Sequence, residues 1–128
     1  ALLGRDDCLL LPHLGASTAE AEENCSVMAA NQLMDFLENG NIVNSVNYPQ
    51  TRMARDSGYR ITFANDNTPG VLGAVLSLLA DRDINVIDMV NKSRNEMAYN
   101  IIDIGSEPSD GLINAIAGVT GVKHLRVL

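Results

Sequence analysis

The second half of the sequence alternates between strand and helix patterns in an order that few folds accept. Residues 59–64 alternate apolar and polar side chains, as a half-buried strand does. A helical spacing of apolar residues follows, and two further strand patterns at 84–91 and 97–104 are joined by a short polar turn. A helix pattern after Ser109 and a strand pattern at 122–128 complete the order βαββαβ. This order predicts an α+β, ferredoxin-like fold, with an antiparallel sheet and both helices on one face.

The predicted strand order also bears on assembly. In the split βαβ topology the strands lie in the order 4-1-3-2, which places residues 84–91 at one edge of the sheet. An exposed edge strand is a template for pairing with another chain. We therefore expect a homo-oligomer formed through this edge.

The first part of the chain has a different pattern. Residues 8–11 are apolar without alternation, which is typical of a strand buried on both faces of a parallel sheet. A long amphipathic helix is predicted at residues 18–38, with Ser17 and Glu20 as a capping box. One such strand and one such helix cannot cover each other, so we expect both to be the tail of a larger α/β domain.

The apolar stripe of this helix needs a partner. An exposed stripe of that size favours aggregation. We therefore expect the stripe to be buried against another chain or against the βαββαβ domain. It comprises Met28, Leu33, Phe36 and Leu37.

Between these two parts, residues 49–58 are polar and lack clear periodicity, which predicts a linker. The expected domains are therefore a remnant of a larger domain at residues 1–48, the linker at 49–58 and the βαββαβ domain at 59–128.

Composition excludes several classes of protein. The chain has 128 residues, is 46% hydrophobic and 20% charged, and carries a net charge of −7, which indicates a globular protein with no basic face for nucleic acid or anionic membranes. No apolar run approaches the roughly 20 residues that span a bilayer. Cys8 and Cys25 have neither redox nor metal-site spacing, so we expect reduced, partly buried thiols in a cytoplasmic protein.

Acidic residues at the start of the long helix could in principle bind a metal ion. Glu20, Glu22 and Glu23 are better explained by the positive end of the helix dipole, so no metal site is predicted.

His13 is the first candidate functional residue. It lies just past the predicted buried strand, where ligands of open α/β sheets bind, and histidine is a common general acid or base. A local hydrogen bond at a strand end would explain the same residue.

The second candidate is the polar loop at residues 65–70, which enters a helix. Asn65 and Asn67, with free helix N–H groups, could hold a carboxylate, and Asn85 stands near the start of a strand, where asparagine is unfavourable. Ordinary turn and capping chemistry would also account for these residues.

Two stretches of the sequence resemble known families. LLLPHLGASTAEAEENCSVMAANQLMDFLENGNIVNSVNYP resembles the end of the dehydrogenase part of D-3-phosphoglycerate dehydrogenases, a branch of the D-2-hydroxyacid dehydrogenases. YRITFANDNTPGVLGAVLSLLADRDINVIDMVNKS resembles the regulatory ACT domain that ends many of them. The resemblance covers nearly the whole chain, in the right order.

The first resemblance implies an NAD-dependent enzyme that oxidises 3-phosphoglycerate to 3-phosphohydroxypyruvate in serine synthesis. It implies that His13 is the catalytic acid or base and that His13, Leu14, Gly15 and Ala16 line the nicotinamide site. The glycine motif of the dinucleotide fold is not present in the chain. We therefore expect the 128-residue chain alone to bind no NAD and to be inactive.

The second resemblance implies that L-serine, or a similar amino acid, binds between two ACT domains as a feedback effector, held at Asn65, Asn67 and Asn85. Two alternatives stay open. The chain could be a stand-alone amino-acid-binding module, or its parent could be an ACT-bearing hydroxyacid dehydrogenase with another substrate.

Overall fold

The computed structural model describes residues 2–12, 14–15 and 17–128. The elements within these residues are α1 (Ala19–Asn39), β1 (Tyr59–Asp66), α2 (Val71–Ala80), β2 (Val86–Arg94), β3 (Met97–Ile104), α3 (Asp110–Ala117) and β4 (Val122–Val127). The chain divides into two compact units, Ala1–Asn31 and Gln32–Leu128, and α1 begins in the first and ends in the second.

The four strands form one antiparallel sheet in the order β2-β3-β1-β4. This is the predicted order, and it confirms the ferredoxin-like fold and the edge position of β2. Strands β2 and β3 form a hairpin whose ladder ends at the pair Arg94 and Met97, and Asn95 adopts a left-handed φ of 56° in the two-residue turn.

One face of the sheet carries α2 and α3. Alternate residues of β1 and β3 point into this layer, and helix residues at i and i+4 meet them. The fully enclosed members of this core are Ile61, Phe63, Val75, Leu79, Ile102, Ile104, Leu112 and Ile116.

The end of α1 and the chain that follows it cover the other face. Phe36 packs against a cluster formed by Ile42, Met53, Ala64, Tyr99 and Ile101. This segment is therefore part of the folded body of the second unit.

The predicted linker begins within this covered region. Thr51 pairs with Ile42 in an isolated bridge, and the side chains of Thr51 and Met53 are buried. Burial of these side chains shows that at least the start of residues 49–58 is packed. The division of the chain at residues 48 and 58 stays a prediction.

Arg60, on the covered face of β1, is fully buried and uses all five of its N–H donors. Two donate to the carboxylate of Asp103, at 2.6 and 2.7 Å. The other three donate to the carbonyl oxygens of Asn39, Met53 and Ala54, at 2.9–3.1 Å. One side chain thus ties β1 to β3, to the end of α1 and to residues 53–54.

Two further arginines donate hydrogen bonds to carbonyl oxygens at the end of α1. Arg126 donates to the carbonyl oxygens of Phe36 and Leu37, and Arg55 donates to that of Glu38. Together with Arg60, they donate to the last four carbonyl groups of the helix and complement the negative end of its dipole. Phe36 O also accepts from Gly40 N, at 3.0 Å.

Helix α1 ends at Asn39, directly before Gly40. Gly40 has φ 72°, and an added Cβ would lie 2.5 Å from the Thr62 side chain, so only glycine fits here.

The strand predicted at residues 8–11 is wrong. These residues form no strand, and Leu9, Leu10 and Leu11 are exposed. A doubly buried strand needs hydrogen-bonded neighbours on both sides, and the chain encodes none for this segment.

The predicted cap of the first helix is also displaced. Thr18, one residue after Ser17, caps α1 by accepting a hydrogen bond from Ala21 N at 3.1 Å. Gly70 is the N-cap of α2, and Pro69 lies outside this helix. Ser109 is the N-cap of α3, and its side chain accepts a hydrogen bond from Leu112 N.

Cys25 is exposed, because it lies on α1 in a stretch with no buried residue, and the expectation that it is partly buried is wrong. Cys8 is half-buried, and both thiols are free.

Within the second unit, Phe36 is covered, whereas Leu33 and Leu37 are each more than half exposed. The expected burial of the whole α1 stripe therefore stays a prediction. No helix in the described part of the chain is long and apolar enough to cross a membrane.

Candidate functional site

The loop between β1 and α2 is fastened to the turn of the β2–β3 hairpin. Asn67 N donates to Glu96 O at 2.9 Å, and Asn67 Nδ2 donates to Asn95 O at 3.0 Å. Asn67 keeps its side-chain oxygen as an acceptor. The loop is therefore a fixed feature of one end of the sheet.

The start of α2, at the end of this loop, is open. Gly70 has φ 93° and makes no side-chain cap, so no side chain of the cap residue competes for the N–H groups of the first turn. Added Cβ atoms at Gly70 and Gly73 would meet nothing within 4 Å. A carboxylate could therefore approach these N–H groups closely.

Asn65 is at the same end of β1, and its side chain is buried, with 3% of the residue exposed. Its Oδ1 accepts from Asn100 Nδ2 at 2.7 Å, and its Nδ2 donates to Asp66 O at 2.7 Å. Its amide is thus oriented by two protein partners.

Asn85 lies at the opposite end of the sheet. It precedes β2, next to the pair Val86 and Ile104, and its carbonyl accepts from Gly105 N at 2.9 Å. Asn65 instead pairs with Ala98. The structure brings Asn65 and Asn67 together and leaves the exposed Asn85 distant from both within one chain.

Sequence reasoning missed two asparagines beside this loop. Asn91 and Asn100 lie opposite each other on β2 and β3, and their side chains are hydrogen-bonded at 2.6 Å. The available signal was asparagine inside strands, where it is unfavourable.

The residues predicted to line a nicotinamide site are only partly described. His13 and Ala16 lie outside the described residues. Leu14 and Gly15 are exposed, and Leu14 O accepts from Ser17 N at 3.0 Å. Across the described ranges, no group of three His, Cys, Asp or Glu side chains could hold a metal ion, and Glu20, Glu22 and Glu23 are exposed at the start of α1.

A cavity of about 320 Å³ lies on the covered face, between α1 and residues 41–48. Its lining is mostly apolar, and the polar groups of Asn41 and Tyr99 are already hydrogen-bonded within the chain, Asn41 to Asp35 and Met53, and Tyr99 to Gly40 O. These two groups are therefore not free to orient a polar ligand.

A second cavity, of about 520 Å³, lies beside the hairpin turn. It is polar, and its charged residues include Lys123 and Asp66, which form an ion pair, and Arg94, which donates to Ser45 O. Both cations have partners within the chain, so the 65–70 loop remains the stronger candidate for a carboxylate ligand.

Comparison with known proteins gives one consistent result. The chain is 30% identical over 125 residues to D-3-phosphoglycerate dehydrogenase of Escherichia coli K12, covering 96% of this chain. It is 32% identical over 110 residues to D-3-phosphoglycerate dehydrogenase 2 of Saccharomyces cerevisiae, covering 82% of this chain. The chain is similar to D-3-phosphoglycerate dehydrogenases over nearly its whole length. This confirms the resemblance inferred from the sequence.

The chain spans 30% of the length of the Escherichia coli dehydrogenase and 23% of the yeast one. No family model matches the chain. Among solved structures, the ACT domain of GTP pyrophosphokinase from Chlorobium tepidum aligns with a TM-score of 0.48 and 16% identity, covering 55% of this chain and 95% of that domain. The fold assignment made above depends on strand order and register instead.

Proposed function

We propose that this chain is the C-terminal regulatory part of an NAD-dependent D-3-phosphoglycerate dehydrogenase, and that its βαββαβ domain binds L-serine between two copies. The similarity to these dehydrogenases along 96% of the chain supports the parent activity. The single observation that carries the effector site is the placement of Asn85 and the 65–70 loop at opposite ends of a sheet whose edge strand is free in one chain.

Antiparallel pairing of the β2 strands of two copies would bring Asn85 of one copy close to the 65–70 loop of the other. The start of β2 in one copy would then lie beside the end of β2 in the other, next to the hairpin turn that holds Asn67. Asn85 of one copy would approach the loop of its mate. Exposed apolar residues on β2, Ile87 and Met89, would be covered in the same step.

The chemistry of the loop fits a small polar amino acid. The open N–H groups at the start of α2 would hold its carboxylate. The Oδ1 atoms of Asn67 and Asn85 would accept from its ammonium group, and an asparagine amide also pairs with a hydroxyl. Binding across two copies would favour the paired state, which is how an effector signal would reach the parent enzyme.

The catalytic role of the first unit is proposed from the resemblance. His13 would be the acid or base that exchanges a proton with the substrate oxygen. The described residues beside it, Leu14 and Gly15, are exposed and offer no enclosed nucleotide site, and the chain has no glycine-rich dinucleotide motif. Other parts of the parent enzyme would therefore hold NAD, and the 128-residue chain alone would be inactive. The parent enzyme would be cytoplasmic.

Titration calorimetry of the 128-residue chain with L-serine tests the effector site. We expect two equivalent sites per dimer, and Asn85→Ala should weaken binding by about 1–3 kcal/mol, because buried polar partners are left unpaired. Asn114→Ala, at an exposed position on α3, is the matched control and should bind normally.

Other results would redirect the proposal. Heat with another amino acid but none with millimolar L-serine would show a different effector. No heat with any amino acid would contradict the regulatory site. If the full-length parent oxidises another 2-hydroxy acid but not 3-phosphoglycerate, the result favours an ACT-bearing dehydrogenase with another substrate. If the parent has no dehydrogenase domain, the result favours the stand-alone amino-acid-binding module.

A further inference from the structure

Three asparagine side chains form a hydrogen-bonded row across three strands. Asn91 Nδ2, on β2, donates to Asn100 Oδ1, on β3, at 2.6 Å. Asn100 Nδ2 donates to Asn65 Oδ1, on β1, at 2.7 Å, and Asn65 Nδ2 donates to Asp66 O at 2.7 Å. This amide relay (Asn91, Asn100 and Asn65) runs from the edge strand to the 65–70 loop.

Burial fixes the direction of the relay. Asn100 is fully buried, and its Nδ2 also donates to Phe63 O at 3.3 Å, so both of its N–H groups are used. Turning its amide over would place Oδ1 against the oxygens of Phe63 and Asn65 and Nδ2 against the donor of Asn91. Without water to compensate, three hydrogen bonds would be lost together.

The fixed direction determines what Asn65 presents to the loop. Because Asn100 holds Oδ1 of Asn65, the Nδ2 end of that amide faces the loop at Asp66 O. Among the described residues, one of the two Nδ2 N–H groups has an acceptor. The other is a donor, which matches a carboxylate or hydroxyl oxygen and does not match an ammonium group.

The geometry points to Asn100 as a positioning residue of the effector site, which turns Asn65 into an N–H donor and so requires an acceptor oxygen at that point of the effector. Asn91 anchors the relay at the edge where a second copy would pair. This inference depends on the proposed function, since it specifies how the same site recognises its amino-acid effector.

A double-mutant cycle on affinity separates positioning from stability. L-serine is titrated into the 128-residue chain and into Asn65→Ala, Asn100→Leu and the double variant, and thermal melting confirms that each is folded. Each single change should weaken binding about tenfold, the scale of an unpaired polar group. Because Asn100 acts through Asn65, the double variant should bind within about threefold of Asn65→Ala.

Two further variants complete the experiment. Ile102→Val removes a methylene from the same buried face of β3 and leaves the relay intact. This variant should therefore have a lower melting temperature than wild type but the same affinity for L-serine. Asn91→Ala, at an exposed position, should fold and bind about two- to fivefold more weakly, which keeps the inference testable if Asn100→Leu does not fold.

Independent effects of Asn65→Ala and Asn100→Leu, multiplying in the double variant, would overturn the positioning role. So would wild-type affinity in either Asn100→Leu or Asn91→Ala, and in those cases the effector site itself would still stand. If wild type bound no amino acid at all, the proposed function and this inference would both be wrong.

Discussion

Arg60 and Asp103 form a two-bond ion pair on the covered face of the sheet, with Arg60 fully buried and the Asp103 side chain 4% exposed. We expect Arg60→Met to destabilise the domain by about 3–5 kcal/mol, because it leaves a buried carboxylate without its partner. Chemical denaturation measures this.

The exposed pair Lys123 and Asp66 provides the contrast. Lys123→Met should change stability by no more than about 1 kcal/mol, since solvent screens that pair. A second contrast is Arg60→Met with Asp103→Leu, which should recover part of the loss because the unpaired charge is gone. Equal effects of Arg60→Met and Lys123→Met would contradict the assigned role of Arg60.

Asp35, near the end of α1, gives a pH dependence at acid pH. Burial alone raises the pKa of this carboxyl. Hydrogen bonds from Asn41 and Asn39 and the charge of Arg52 together lower the pKa by more than burial raises it, so the pKa lies below its ordinary value of 3.8. A lowered pKa means that the folded state favours the carboxylate. This contribution is present above pH 3.8 and is lost as the pH falls through the folded-state pKa.

Asp35→Asn keeps an oxygen that can accept from both amides but removes the charge. Its stability should therefore fall less steeply below about pH 4 than that of wild type. Denaturant midpoints at pH 3, 4 and 6 compare the two proteins, and parallel curves would show that Asp35 makes no such contribution.

The edge of β2 should decide the oligomeric state. Ile87→Lys places a charge on an exposed apolar position of this strand, so we expect sedimentation to show a weaker dimer and calorimetry to show weaker L-serine binding. Val127→Lys makes the same change on the opposite edge strand, β4, and should leave both unchanged. A dimer that is sensitive only to Val127→Lys would move the interface to β4.

In the full-length parent, His13→Ala should lower turnover by about 10²- to 10⁴-fold, the usual contribution of general acid–base catalysis. His124, the other histidine, is exposed at β4 and supplies the control, since His124→Ala should retain activity. Full turnover in His13→Ala would make His13 a structural residue.

Local pattern was enough to predict the βαββαβ order, because alternation and helical spacing in residues 59–128 agree with the packing that forms. Local pattern failed where the conformation of a segment depends on contacts with residues distant in the sequence. Residues 8–11 have the composition of a buried strand but no neighbours to pair with, and Met53 and Ala54 are fixed by Arg60, a contact that composition does not reveal.

The candidate site shows the same limit. Asn65, Asn67 and Asn85 were found by resemblance and by their positions beside turns. Asn91 and Asn100 were missed, because the one available signal was asparagine within a strand. Their role depends on the register that places Asn91 opposite Asn100. Register is set by turn geometry and burial across the whole sheet, so a single strand does not carry it.

The arginines at the end of α1 constrain the order in which the chain folds. The donors to Phe36 and Leu37 lie 90 and 89 residues downstream, on β4. The last turn of the helix gains these caps only after β4 has joined the sheet, so it belongs to the late stage of folding. Removing the Arg126 guanidinium should therefore speed unfolding and leave the folding rate almost unchanged.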